Sequence, residues 1–210
     1  MSDSQPYINL HLGLGSFHRA HQALYLQWLH DLGDQSWALA GGNIRPDMAE
    51  TIAALQASSG AYTLETVTPQ GERDYKRIDA IKQIVPFDVE LNGLTKIAVD
   101  EKTKIISFTV TEAGYYLDSQ DQLDQSYADL VTDLKGETVV TLYGALARLL
   151  KARFAAGAGP VTLMNCDNLR SNGDRFMKGF LQFLGLRNET ELKAWVENNT
   201  SAPNAMVDRI

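Results

Sequence analysis

Two glycines, Gly13 and Gly15 in GLGSFHRAH, follow directly on the alternating apolar stretch INLHL. Glycine accepts backbone angles that a β-carbon forbids and lets the main chain approach a ligand closely. The pair therefore suits either a cradle for a nucleotide phosphate, with Leu14, Ser16 and Phe17 around it, or a plain tight turn. The third glycine of a G-x-G-x-x-G pattern is absent, and His18 stands in its place. Arg19 follows in the first turn of the expected helix. A cation there opposes the helix macrodipole, which points to a nearby anion, a solvated arginine being the plain alternative.

Other groups able to do chemistry fall just after apolar runs. Thr111 ends KIISFTVT and Glu112 follows it, where the nicotinamide half of a dinucleotide would pass, although a polar loop exit needs no ligand. Asn168 follows PVTLMNC and is either a helix cap or a donor to a reacting oxygen. Arg45 and Asp47 both follow SWALAGGNI. An acidic residue in that loop binds a ribose 2'-hydroxyl and an arginine accepts a 2'-phosphate, so the pair leaves NAD and NADP both open. His11, His18, His21 and His30 cluster early, but no carboxylate or cysteine completes a ligand set at a recognisable spacing, and no metal is expected. Cys166 is the single cysteine, which excludes an intrachain disulfide. With no base implied near it, it reads as core.

These residues need a scaffold, and periodicity supplies one. Ile8, Leu10 and Leu12 alternate as a strand, then Ala20, Ala23, Leu24, Trp28 and Leu32 recur at helical spacing up to Gly33. Residues 36 to 44 read as a second strand, followed by a helix with the stripe Met48, Ile52 and Leu55. Residues 61 to 85 flank the turn PQGE and read as an inserted β-hairpin. Residues 104 to 111 and 160 to 166 read as strands buried on both faces, with a helix from Val139 to Phe154 between them. The alternation predicts an α/β fold with a doubly wound, Rossmann-like, mainly parallel sheet. Its ligands sit beyond the carboxyl ends of the strands, where the residues named above fall.

Composition narrows the partners. The chain has 210 residues, 44% of them hydrophobic, enough to bury a substantial core. A net charge of −7 and the lack of any lysine or arginine run argue against nucleic acid and against an anionic membrane. The polar start MSDSQPY has no signal-peptide pattern, and the apolar stretches are short for a membrane span, so a cytoplasmic protein is expected.

The segment GLGSFHRAHQALYL resembles the G-x-G-x-F-x-R-x-H fingerprint of the polyol-specific long-chain dehydrogenases, the group of mannitol 2-dehydrogenase and D-arabinitol 4-dehydrogenase. TVTEAGYY, NCDNLRSNG and PNAMVDRI resemble three further motifs of that family in the same order, and AGGNIRPDM leans towards the arabinitol branch. The resemblance implies NAD-dependent interconversion of a polyol and its ketose without a metal. It implies that Gly13, Leu14, Gly15, Ser16, Phe17, Arg19, Asp47, Thr111 and Glu112 surround the cofactor. Asn168 would donate to the substrate oxygen, and Val207 and Asp208 would line the polyol site. The family's catalytic lysine belongs to a K-x-x-x-x-N-x-x-H motif in a helical C-terminal domain, and that motif is absent here. Residues 1 to 210 are therefore expected to be the NAD-binding domain of a longer enzyme, inactive alone and partnered by that C-terminal domain. Self-association or a loosely held tail is expected around Met206, Val207 and Ile210. The reading from a different class is a stand-alone nucleotide-binding or interaction module. A third, a nucleotide-sugar or sugar-acid reductase, differs only in substrate.

Overall fold

The computed structural model describes residues 5–136 and 138–207. Six strands, β1 (Tyr7–Leu12), β2 (Trp37–Gly42), β5 (Ile81–Val85), β6 (Thr103–Phe108), β7 (Val161–Asn165) and β8 (Thr200–Ser201), form one sheet. Its order is β5-β2-β1-β6-β7-β8, and every neighbouring pair is parallel. The remaining two, β3 (Tyr62–Val67) and β4 (Arg73–Ile78), pair antiparallel as a separate hairpin. The sheet thus starts at β1, grows outward through β2 and β5, then returns to the other side of β1 for β6, β7 and β8. This is the doubly wound Rossmann order.

Helices fill the crossovers. The first crossover holds α1 (Ser16–Ala20) and α2 (Gln22–Asp31), the second α3 (Ala49–Ala57), and α4 (Asn92–Ala98) joins β5 to β6. A 3-10 turn (Glu112–Tyr115), α5 (Ala128–Lys135) and α6 (Leu142–Ala156) connect β6 to β7, and α7 (Asn172–Leu186) and α8 (Thr190–Asn199) lead to β8. Side chains alternate across each strand, so the buried apolar residues divide into two clusters. One joins Leu10, Leu12, Ile106 and Phe108 to α4, α6 and α7; the other joins Leu39 and Ile81 to Leu14, Ile52 and Leu55.

The expected elements are present with four changes. Residues 81–85 are not an arm of the hairpin but the outer strand β5, parallel to β2, because the chain turns back into the sheet at the buried Ile78, Ala80 and Ile81. The first helix breaks at His21 (φ −116°, ψ −82°), which shifts its phase: Ala23, Gln27 and His30 are buried, while Trp28 is 46% and Leu32 84% exposed. Met48 is not part of a buried stripe but the exposed, left-handed residue before α3. Finally, β6 ends at Phe108, leaving residues 109–111 outside the sheet, and α6 starts at Leu142, where the Thr141 side chain accepts from Gly144 N–H. Among the described residues no helix is long and apolar enough to cross a membrane.

Candidate functional site

Leu12 and Phe108 are partners at the carboxyl ends of β1 and β6, the neighbouring strands between which the winding of the sheet reverses. A crevice opens there. It contains two adjoining cavities that share Leu12, Ile44, Arg45 and Thr109. One, of about 290 Å³, is lined by Gly13, Gly15, Ser16, Phe17, Asn43 and Asp47. The other, of about 420 Å³, is lined by Val110, Thr111, Gly114, Tyr116 and Tyr127.

The two glycines have different reasons to be glycine. Gly13 has φ +107°, a conformation that side chains resist, and its N–H donates to Gly42 O at 2.9 Å. Gly15 has φ −67° and ψ 172°, which any residue adopts, and a β-carbon added there would meet nothing within 4 Å. Neither its backbone nor the protein's packing calls for glycine, and what its missing side chain leaves is open space at the cavity wall.

Asn43 holds this turn, and sequence reasoning did not single it out. Its Oδ1 accepts from Leu14 N–H at 2.9 Å, while its Nδ2 donates to the Asp47 carbonyl at 3.0 Å and to Asp47 Oδ1 at 3.2 Å. One buried carboxamide thus fixes the glycine turn against the acidic loop after β2. The only sequence signal is its place directly behind the glycine pair that ends that strand. Leu14 itself lines neither cavity, since its side chain is fully buried in the second core cluster.

Arg19 is placed differently from the other fingerprint residues. Its Nη1 donates to Leu14 O at 3.1 Å and its Nη2 to Ser16 Oγ at 3.5 Å, so it braces the turn from behind and lines a separate cavity with Tyr62. The Leu14 carbonyl gives this cation a partner within the helical turn. Arg45 is drawn towards the β6 side by Val140 O at 2.6 Å and Tyr116 OH at 3.4 Å, with Asp129 at 3.7 Å. Glu112 is exposed and faces Arg175 at 3.9 Å.

Asn168 and Val207 meet each other at the exit of β7, where Asn168 Oδ1 accepts from Val207 N–H at 3.1 Å. Asn168 does not cap α7, whose N-cap position is Ser171. The segment before Val207 is not loosely held: Ala205 N–H donates to Asn172 Oδ1 at 2.8 Å, and Asn204 exchanges hydrogen bonds with Asp174. Asp208, like Ile210, lies outside the described residues.

The histidines pack locally, although both ring nitrogens of His18 and Nδ1 of His30 are buried without a hydrogen-bond partner among the described residues. His11 and His18 are buried and stack at 3.8 Å, with His11 Nδ1 2.8 Å from Ser107 Oγ. Burial holds both in the neutral form, pushing His18 down to about 3 and His11 well below the usual range. His18 thus fills, as a stacked ring, the place where a third glycine would let helix and strand pack closely. His21 stacks on Phe17, and His30 Nε2 lies 2.9 Å from Trp37 O. Burial, aided by the Asp167 charge, pushes the Cys166 thiol up to about 12, which leaves it an inert core side chain. Among the described residues no three or more His, Cys, Asp or Glu side chains come together as a metal site.

The sheet order, the crevice and the glycine turn are those of a dinucleotide-binding domain, and residues 8–210 match the family model described as the mannitol dehydrogenase Rossmann domain. The chain belongs to the mannitol dehydrogenase family. It is 55% identical over 203 residues to a D-arabinitol 4-dehydrogenase of Ralstonia nicotianae, covering 96% of this chain and 43% of that protein. It is 50% identical over 201 residues to a D-arabinitol 4-dehydrogenase of Klebsiella pneumoniae, covering 96% and 44%. Among solved structures, the ternary complex of Pseudomonas fluorescens mannitol 2-dehydrogenase with NAD and D-mannitol superimposes with a TM-score of 0.87 at 31% identity, covering 99% of this chain and 42% of that one. The chain therefore spans less than half the length of the dehydrogenases it matches.

Proposed function

We propose that residues 1–210 are the NAD-binding domain of a cytoplasmic polyol dehydrogenase that converts D-arabinitol, or a polyol of the mannitol type, to its ketose. The observation that carries this reading is Gly15, a glycine that neither its backbone nor its packing requires, facing open space at the switch point of the sheet. Space of that kind at the end of β1 fits a pyrophosphate, so the residues present fit a dinucleotide.

NAD, when bound, supplies the carbon that accepts the hydride from the substrate's secondary alcohol while the hydroxyl proton leaves to a base. In this reading the main chain at Gly13 and Gly15 forms the floor under the phosphates. The N–H groups of Ser16 and Phe17, which have no partner within α1, donate to them. Thr111 and Glu112 border the nicotinamide half. Asn168, placed beside Val207 at the exit of β7, would donate from its side-chain amide to the developing alkoxide. Val207 and Asp208 hold the polyol, and the proton-accepting lysine comes from the C-terminal domain of the same enzyme. Of the expected cofactor contacts, Leu14 and Arg19 act in support of the turn.

Asp47 decides between NAD and NADP in this reading. Held by Asn43 beside the glycine turn, its carboxylate accepts from ribose hydroxyls and repels a 2'-phosphate, while Arg45, the residue that would welcome that phosphate, is turned towards Val140 and Tyr116. Asp47→Ala is expected to weaken NAD binding about tenfold, or about 1.4 kcal/mol, and to narrow the preference over NADP. Titration calorimetry with both cofactors checks it, and an unchanged NAD/NADP affinity ratio would remove Asp47 from the role.

The test of the reading as a whole is made on the chain itself. It is expected to bind NAD weakly and to produce no NADH from D-arabinitol or mannitol, because it holds a phosphate turn and no base. Absence of NAD binding at millimolar concentration would overturn the function. Measurable polyol oxidation by this chain alone would overturn the division of labour between two domains.

A further inference from the structure

We propose that Tyr115 is a positioning residue that fixes, through Asp167, the placement of Asn168 relative to the cofactor crevice; this rests on the reading of Asn168 given above. Tyr115 closes the 3-10 turn that begins at Glu112, at the β6 side of the crevice, and is 2% exposed. Its hydroxyl donates to Asp167 Oδ2 at 2.7 Å and accepts from Asn165 Nδ2 at 2.7 Å. The other oxygen, Asp167 Oδ1, accepts from Leu169 N–H at 3.1 Å and from Asn172 Nδ2 at 3.1 Å. Asn172 Oδ1 in turn accepts from Gly173 N–H at 2.9 Å and from Ala205 N–H at 2.8 Å.

One continuous chain of buried and part-buried hydrogen bonds therefore joins three stretches that are far apart in sequence: the exit of β6, the exit of β7 and the segment leading to Val207. Asn168 is the residue between two that this chain pins, Asp167 by its side chain and Leu169 by its N–H. The Tyr115 main chain is fixed as well, since Tyr143 OH donates to its carbonyl at 2.9 Å. Burial first, then the hydrogen bond and charge of Asp167, hold the phenol well above its ordinary titration range, so it remains a donor throughout the working pH of an enzyme. A phenylalanine would fill the same volume. What the hydroxyl adds is the link between the edge of the cofactor crevice and the loop that carries the amide.

The test is Tyr115→Phe, read in two ways. In the present chain, NAD affinity is expected to stay within about twofold, while the Asn168 side-chain amide resonances shift or broaden in nitrogen-proton NMR spectra. In the full-length dehydrogenase that carries this domain, kcat for polyol oxidation is expected to fall on the order of tenfold to a hundredfold, the scale of a misplacement of about 1 Å, with KM for NAD unchanged. Asp167→Asn, which keeps size and both acceptor contacts of Oδ1 but not the charged acceptor facing the phenol, is expected to act in the same direction and serves if Tyr115→Phe does not fold. Unmoved Asn168 resonances with an unchanged kcat overturn the positioning role. So does a loss of NAD affinity in step with kcat, which marks a merely structural contact. A wild-type protein that neither binds NAD nor oxidises polyols overturns the functional reading on which the inference rests, whereas an active wild type beside an equally active Tyr115→Phe overturns the inference alone.

Discussion

Replacing Gly15 by valine is expected to weaken NAD binding by about a hundredfold or more, at least about 2.7 kcal/mol, while leaving the melting temperature nearly unchanged. The two halves of that expectation have separate physical sources. Stability is retained because Gly15 already has an extended backbone that a β-branched residue prefers, and a β-carbon there touches nothing within 4 Å. Exchanging glycine for a residue that fits the existing conformation even removes freedom from the unfolded chain. Binding is lost because the isopropyl group takes the open space along the cavity wall, where the pyrophosphate has to lie against the main chain. Calorimetric titration with NAD beside a thermal melt checks both halves. Unchanged affinity in a folded variant would make the turn purely structural, and a collapsed melt would mean that the glycine serves the fold after all. Gly13 gives no such clean result, because its φ of +107° strains any side chain.

The strand, turn and helix around that glycine were legible because the signals there are local. Alternation in INLHL and two glycines within three residues need no distant partner to be read. The switch point followed from the order of strands and helices, since parallel strands require crossovers. What local pattern could not supply was the direction in which an element pairs. Residues 81–85 have the composition of a hairpin arm, and only the burial of Ile81 under α3 and its pairing with β2 make them the outer parallel strand. The expected stripe through Trp28 and Leu32 failed for a similar reason: a break at His21 rotates the helix, and nothing in the residue types marks that rotation. The helix Asn172–Leu186 carries Gly173, Gly179 and Gly185, which lower its intrinsic propensity. Gly173 packs directly against the Ala202 carbonyl and Pro203, and Gly179 against Tyr143, contacts made by residues 29 or more positions away. Asn43 and Tyr115 were missed on the same ground. Their partners lie 29 and 52 residues distant, and the role exists only once the sheet has brought those loops together.

The opposite experiment to Gly15→Val concerns Arg153, a fully buried arginine at the far end of the sheet from the crevice. Arg153→Met is expected to lower stability by about 3–5 kcal/mol while leaving the NAD affinity of the folded molecules unchanged. The guanidinium donates to five main-chain carbonyls: Ala98 at 2.6 Å, Asp100 at 3.2 Å, Ala158 at 2.9 Å, Gly159 at 2.8 Å and Pro160 at 3.2 Å. These carbonyls belong to the end of α4, the turn into β6 and the turn between α6 and β7, so one side chain ties together the approaches to two neighbouring strands. Methionine fills much of the volume but donates nothing. Buried carbonyls left without a donor cost about 1–3 kcal/mol each where water does not reach them, and partial relaxation of the two turns brings the sum into the expected range. Because a domain of this size has a total stability of about 5–15 kcal/mol, the loss should be visible as a large drop in the urea midpoint. A drop below about 1 kcal/mol would mean that water or rearranged turns satisfy the carbonyls as well as the arginine does. The pair of variants separates two demands on the same sheet: at the carboxyl ends of its strands residues are chosen to leave room, and at the amino ends they are chosen to leave none.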